Sequence, residues 1–291
     1  MRLVTVVDGY RREVGAVEVE PGRLVPVSAV APDLPPDLQG LLDHGLTDAV
    51  RARLADGAQA GVASASQREA TAQPPLLRRP RKVIGIGLNY REHADDLSAP
   101  FPTSPASFLK ADHTIIGGGE PIVIPAQSKR TTAEAELGIV IGRECWQVDE
   151  ANALDYVAGF CLILDQTAED ILHENPRFLT RSKNFPTFLS LGDTLVTTDE
   201  VLDRFGDLDR VRVATVHNGE VARENAVAAM EFGPRYLVSF HSQVMPLYPG
   251  DIISSGTPGA VPIAPGDVVT CRIEGLGELT NPVAAGSPGA S

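Results

Sequence analysis

About thirty residues at the N-terminus alternate apolar and polar positions in short stretches. The stretches are "RLVTVVD", "EVGAVEVE" and "RLVPVSA", and a period of two is typical of strands with one buried face. Between Pro36 and Ala55 the leucines and valines recur at helical spacing instead. Residues 63–73 lack periodicity and are interpreted as a linker. The pattern predicts a small N-terminal α+β domain over residues 1–72.

Longer apolar runs follow and predict a β-rich domain over residues 73–284. The segments "RKVIGIGLNY", "ELGIVIG" and "AGFCLILD" have the length of buried strands. The segment "TVHNGEVA" predicts a hairpin that turns at Asn218-Gly219. Short helices are predicted around residues 91–97, 168–174 and 234–244, and a loose tail over residues 285–291.

Composition and charge narrow the class of protein and of partner. A hydrophobic fraction of 43% in 291 residues fits a soluble globular fold, and a net charge of −13 argues against nucleic acid or an anionic membrane as the main partner. No apolar run reaches the length of a membrane span, and the N-terminus lacks a signal-peptide pattern, so we expect a cytoplasmic protein. Cys145, Cys161 and Cys271 lie in or beside apolar runs and are expected to be buried thiols.

Two acidic residues stand at the start of the run "TTAEAELGIVIG". Because a strand alternates its side chains between two faces, Glu134 and Glu136 would point the same way. Asp165 closes the next long apolar run, "AGFCLILD". Three carboxylates at the ends of two buried strands would form an all-oxygen site for a hard cation, Mg²⁺ or Mn²⁺.

Plainer interpretations of these acids stay open at this point. Glu134 and Glu136 could be a strand end that reaches solvent. Asp165 could cap a short helix near Thr167, because Thr167 and Asp170 have the spacing of a capping box.

The segment "NYREHADD" holds a histidine and an aspartate three residues apart. On a helical turn His93 and Asp96 would share a face, and an imidazole oriented by a carboxylate can act as a general base. The alternative is a surface histidine beside two acids.

These segments, in this order, resemble the fumarylacetoacetate hydrolase family over residues 82 to 283. The resemblance rests on "GIGLNYREHADD", "FLKAD", "EAELGIVIG", "GFCLILDQTAED", "RSKNFPTFLSLGDTLVT", "NGE", "PGDIISSGTP" and "GDVVTCRIEGLG". It implies an α+β, β-rich fold, with a mixed β-roll catalytic domain, commonly dimeric, following the small N-terminal domain.

Site roles carried over by this resemblance fall on matching positions. The metal ligands match Glu134, Glu136 and Asp165. The catalytic residues match His93 with Asp96, and Lys183 near the metal. The substrate contacts match Gly256 and Thr257, to which the altered pocket position Glu169 is added.

The sequence departs from the family pattern on one wall of the pocket. Glu169 and Leu172 stand where the family usually has Arg and Gln. Pro186 replaces a usual Asp, and Asp193 a usual Pro.

The resemblance implies a Mg²⁺- or Mn²⁺-dependent hydrolase that cleaves a C–C bond in a 2,4-dioxo acid or β-diketone through a metal-stabilised enolate. The partner would be a small oxo-acid substrate, and the assembly a homodimer. A decarboxylase, or an isomerase or hydratase, of a 2-oxo acid could use the same site. A metal-binding homologue without activity is the third interpretation.

Overall fold

The computed structural model describes residues 1–61, 65–67, 73–91 and 102–286, and it is a mixed α+β structure rich in strands. The strands within this part of the chain are β1 (Arg2–Val7), β2 (Glu13–Glu20), β3 (Arg23–Pro26), β4 (Ser66–Gln67), β5 (Val83–Gly87), β6 (Ala106–Lys110), β7 (Ile115–Ile116), β8 (Ile122–Ile124), β9 (Thr131–Ile141), β10 (Val157–Ala168), β11 (Leu189–Leu191), β12 (Thr194–Thr197), β13 (Arg212–His217), β14 (Glu220–Ala226), β15 (Ile252–Ser254), β16 (Val261–Ile263), β17 (Val268–Ile273) and β18 (Gly277–Ala285).

Helices are short and connect the strands. They are α1 (Val27–Val30), α2 (Leu38–His44), α3 (Asp48–Ala60), α4 (Glu169–Glu174), α5 (Leu179–Lys183), α6 (Thr198–Phe205) and α7 (Pro234–Val244). 3₁₀ helices occupy Asp112–Thr114, Glu150–Tyr156, Leu208–Arg210 and Val227–Ala229. The helices predicted around residues 168–174 and 234–244 correspond to α4 and α7. The one predicted around residues 91–97 falls almost wholly outside the described residues.

The helical spacing between Pro36 and Ala55 is confirmed, but it corresponds to two helices, α2 and α3, rather than one. Gly45 ends α2 with a φ of +94°, a conformation that favours glycine, and Thr47 caps α3 by accepting a hydrogen bond from the Val50 amide. The spacing of the leucines does not reveal the break between α2 and α3. Leu41 before the break and Leu54 after it are buried in the same core.

The strands of the described residues form two sheets. A 13-stranded sheet runs in the order β4-β3-β2-β1-β12-β10-β9-β15-β5-β6, with β7, β11 and β16 attached beside it. A five-stranded sheet runs β14-β13-β17-β18-β8. The N-terminal strands continue the large sheet, since β1 pairs with β12. The division into domains 1–72 and 73–284 stays a prediction.

The predicted hairpin is present between β13 and β14. Asn218 and Gly219 both adopt positive φ, 51° and 89°, as a tight two-residue hairpin turn requires.

β9 and β10 form the centre of the large sheet and are buried along their whole length. Their two faces have different surroundings. Leu137 and Ile139 of β9, with Leu162 of β10, belong to the main core, which includes residues of the five-stranded sheet. Val140 and Ile163, on the opposite face, join a second core with the N-terminal helices. Glu134 and Glu136 alternate with the first set and therefore lie on the second face.

Cys145, Cys161 and Cys271 are buried free thiols, as the sequence predicts. Within the described ranges, every helix is too short or too polar to cross a membrane.

Gly159 allows β12 to approach β10 closely. A Cβ atom there would lie 2.2 Å from the Val196 carbonyl oxygen, which is backbone and cannot turn aside. We expect Gly159→Ala to lower the free energy of unfolding by about 1–3 kcal/mol, the usual cost of overpacking. Urea unfolding measures this. Gly9→Ala is the control, since a Cβ at Gly9 meets nothing within 4 Å, and an equal effect in both variants would contradict the explanation.

We expect the free energy of unfolding to depend on pH through His241 of α7. Its Nδ1 lies 2.7 Å from the Leu237 carbonyl oxygen, its Nε2 has no partner among the described residues, and burial lowers its pKa below the ordinary 6.5. Below about pH 6.5 the unfolded chain binds a proton that the folded chain resists, so stability falls with falling pH. Urea unfolding at pH 7.5 and 5.5 should show wild type losing on the order of 1 kcal/mol relative to His241→Gln. A pH-independent difference would contradict this.

Candidate metal centre

A ladder of two strands brings the three predicted acids together. Asp165 of β10 stands directly opposite Glu134 of β9, and Glu136 lies two residues further on the same face. Ligand oxygens of the three carboxylates lie within 4.8 Å of one another. The three side chains are buried, with residue exposures of 6%, 1% and 0% for Glu134, Glu136 and Asp165. Three buried carboxylates therefore share one small volume.

Both plainer interpretations of these acids are wrong. The residues are not solvated strand ends, because β9 begins at Thr131 and β10 continues to Ala168, which leaves the acids inside the ladder. Asp165 is not a helix cap, because α4 begins after Ala168 without a side-chain cap. Thr167 instead donates a hydrogen bond of 2.8 Å to Glu134 Oε1.

Two buried lysines supply positive charge to the cluster. Lys183 Nζ lies 2.8 Å from Asp165 Oδ2 and 3.1 Å from Glu134 Oε2, and Lys110 forms an ion pair with Asp165 Oδ1. Burial would lower the pKa of Lys183, but the surrounding carboxylates, Asp165 first, raise it above its ordinary value. Burial lowers the pKa of Lys110 despite its pairing with Asp165. Lys183 is thus held as an ammonium ion.

Glu136 is fixed from the opposite side by the segment after β15. Its Oε2 accepts hydrogen bonds from Ser254 Oγ at 2.5 Å and from the Gly256 amide at 2.8 Å. Gly256 has a φ of +94°, and a Cβ there would lie 2.8 Å from Asn89 Cβ. Burial, followed by the Asp165 carboxylate, raises the pKa of Glu136 to about 8. The site therefore favours additional positive charge beside Glu136.

A hard divalent cation fits this donor set. All the candidate ligand atoms are carboxylate oxygens, the ligands that Mg²⁺ and Mn²⁺ prefer. When a bound cation replaces the proton of Glu136, three carboxylates stand beside two lysine side chains, and the donor set can offset the charge of the cation.

A cavity of about 370 Å³ opens from the cluster. Glu134, Thr167 and Lys183 of the cluster line it together with Glu169 and Leu172 of α4. Its volume lies near the lower end of the range for small-molecule sites.

The other predicted site residues have mixed placements. Glu169 lines the cavity, but its carboxylate forms an ion pair with Arg130. The Thr257 hydroxyl is 3.3 Å from the Gly259 amide, within its own turn, and is buried. His93 and Asp96 lie outside the described residues. The catalytic and substrate-binding roles of these residues stay predictions.

Lys110 belongs to the cluster, although the sequence predicts no role for it. It ends β6, and Asn184, next to Lys183, connects the two lysine-bearing elements by accepting from the Ala111 amide and donating to the Leu109 carbonyl. The available signal was rarity: lysine occurs at only four positions of the chain, and Lys110 closes an apolar segment.

Removing one ligand should remove the response to metal. We expect Mn²⁺ at a hundredfold excess over its Kd to stabilise the wild-type protein by on the order of 2.7 kcal/mol, and Glu136→Gln to lose most of that gain. Thermal unfolding with and without Mn²⁺ measures it. Glu150→Gln, an exposed acid outside the cluster, is the control. An undiminished Mn²⁺ response in Glu136→Gln would contradict the assignment.

Comparison with known proteins identifies the family. The family profile described as fumarylacetoacetate (FAA) hydrolase C-terminal matches residues 82–284. The chain is 33% identical to the rat (Rattus norvegicus) mitochondrial oxaloacetate tautomerase Fahd2a, over 90% of this chain and 84% of that protein.

Two solved structures of related proteins have the same fold. A fumarylacetoacetate hydrolase from Exiguobacterium antarcticum superimposes with a TM-score of 0.81 at 28% identity, covering 98% of this chain and all of that one. A 5-carboxymethyl-2-hydroxymuconate delta-isomerase from Mycobacterium smegmatis has a TM-score of 0.72 at 30% identity, covering 99% and 100%. The profile match and these likenesses show that the chain belongs to the fumarylacetoacetate hydrolase family.

Proposed function

We propose that this protein is a divalent-metal-dependent hydrolase that cleaves the C–C bond of a 2,4-dioxo acid or β-diketone. The observation that carries the proposal is the position of Lys183. Its ammonium group contacts two of the candidate metal ligands and also lines the cavity, so it faces both a bound cation and any substrate that reaches it.

The metal would be held by Glu134, Glu136 and Asp165. When bound, Mg²⁺ or Mn²⁺ supplies Lewis-acid polarisation of the oxygens at the oxo-acid end of the substrate.

The residues of the chain would perform the remaining steps. His93, oriented by Asp96, would take a proton from water as the water oxygen bonds to C4 of the dioxo acid. The C3–C4 bond then breaks and its electron pair moves into the enolate of the departing 2-oxo acid, which is protonated at C3. Lys183, whose pKa is raised, stabilises the negative charge that develops there. A carboxylic acid and a shorter 2-oxo acid result.

Tautomerisation or isomerisation of a 2-oxo acid is the second candidate. The relatives at 33% and 30% identity are named as an oxaloacetate tautomerase and a delta-isomerase. Both reactions need a stabilised enolate, which Lys183 can support, but no attack by water. The expected homodimer and cytoplasmic location stay predictions.

Product analysis with a lysine variant tests the proposal. Incubation of 2,4-dioxopentanoate with the protein and Mn²⁺ should yield acetate and pyruvate in equal amounts, followed by NMR. Lys183→Met should lower kcat about 10²- to 10³-fold, because it removes the charge that stabilises the enolate. Lys129→Met, at an exposed lysine, is the control.

Other product patterns favour other candidates. Keto–enol interconversion of oxaloacetate without C–C cleavage of any dioxo acid would favour the tautomerase. Inactivity on both substrates with Mn²⁺ bound would favour a metal-binding homologue without activity.

A further inference from the structure

The cavity beside the acidic cluster has a charged end and an apolar end. Strand β6 and helix α5 each have a lysine at the cluster and apolar residues that line the cavity further along the element.

Strand β6 turns one face towards the site. Ala106, Phe108 and Lys110 alternate along it and share that face. Lys110 contacts Asp165, Phe108 comes next with its ring centroid 4.8 Å from Lys183 Nζ, and Ala106 lines the cavity about 14 Å from Lys110 along the strand. Charge therefore gives way to apolar surface along β6, away from the carboxylates.

Helix α5 repeats the same order. Lys183 is in its last turn and Leu179 lies four residues earlier, so the two share a face about 6 Å apart along the axis. Both line the cavity. Leu179 lies at the N-terminal end of α5 and Lys183 at its C-terminal end. The apolar side chain is therefore displaced from the lysine along the helix axis.

Helix α4 and the turn after it complete the outer wall. Leu172 and Pro176 line the cavity and are half-buried and exposed, respectively, whereas Glu134 and Lys183 at the cluster are buried. Glu169 also lines it, but its carboxylate is neutralised by Arg130, whose carbonyl oxygen also accepts the Glu169 amide at 2.9 Å. The guanidinium group of Arg130 is therefore engaged by Glu169.

The remaining titratable group of the outer part is His173. It lines the cavity but is exposed to solvent, where a charge is screened. Among the described lining residues, the outer part thus has no buried cation to receive a second carboxylate of a substrate.

We propose that the substrate is a 2-oxo acid with an uncharged, apolar tail, and that Leu172 selects against a second carboxylate. This proposal rests on the proposed function for the site itself. The oxo-acid end would face Lys183 and the cluster, and the tail would lie against Leu172, Leu179 and Phe108. Each methylene buried there should tighten binding about threefold to fourfold, whereas a carboxylate would be desolvated without a partner.

Binding of matched ligands tests this without requiring turnover. Isothermal titration calorimetry of the Mn²⁺-loaded protein should give 2-oxohexanoate a Kd about thirtyfold lower than that of pyruvate, which has three fewer methylenes. 2-Oxohexanedioate, in which a carboxylate replaces the terminal methyl group, should bind at least tenfold more weakly than 2-oxohexanoate. A diacid that binds as tightly as 2-oxohexanoate, or no gain over pyruvate, would overturn the proposal.

A positive charge introduced at Leu172 should alter the preference for a monoacid over a diacid. Leu172→Arg should shift the ratio of monoacid to diacid affinity at least tenfold towards the diacid. Thr180→Arg adds the same charge at an exposed position of α5 and should leave the ratio unchanged. An equal shift in both variants would overturn the role of Leu172. If Leu172→Arg fails to fold, the ligand series on the wild-type protein decides the substrate class.

Turnover of the corresponding dioxo acids separates the two proposals. Preferred binding of the apolar acid without C–C cleavage supports the substrate class and contradicts the hydrolase. Cleavage of 2,4-dioxoheptanedioate in preference to 2,4-dioxoheptanoate supports the hydrolase and contradicts the substrate class.

Discussion

The repulsion between Asp165 and Glu134, directly opposite each other on neighbouring buried strands, is the constraint around which the site is organised. Like charges in this arrangement are unfavourable unless cations offset them. The chain brings in Lys183 from α5 and Lys110 from β6. β6 is four strands from β10 in the sheet, about 19 Å if the sheet were flat. That separation exceeds the length of a lysine side chain, so the sheet must curl, and the ion pair helps to hold it closed.

Local patterns in the sequence predict those parts of the fold that depend on short-range periodicity. The Asn218-Gly219 hairpin, the central strands and α7 follow from spacing and turn chemistry. The extent of β9 and β10 does not, because Thr132 and Thr167 look like residues at a strand end. They are buried because their hydroxyl groups donate to Glu134 Oε1. Polar residues that satisfy a buried carboxylate extend a strand beyond its apolar run.

The site was predictable where its residues are neighbours on one strand, and not where the fold joins distant segments. Glu134 and Glu136 share a face by alternation alone. Lys110 reaches Asp165, 55 residues away, only because the sheet curls. Glu169 stands where the family usually has Arg, and Arg130, 39 residues earlier, pairs with its carboxylate. Spacing in the sequence gives no sign of such a pair.

The carboxylates lie in the middle of a strand ladder that tolerates few substitutions, whereas other residues around the cavity lie on elements that tolerate more. β9 and β10 are paired on both sides, and Gly159 leaves no room for even a methyl group, so the floor of the site tolerates little variation. α4 belongs to the periphery, where Asp170 anchors it to Ser128 and the Lys129 amide. Evolution can therefore replace the residues that touch the tail of a substrate while the residues that touch its reacting end stay as they are. Divergence of specificity within such a fold needs only a few substitutions on a short helix.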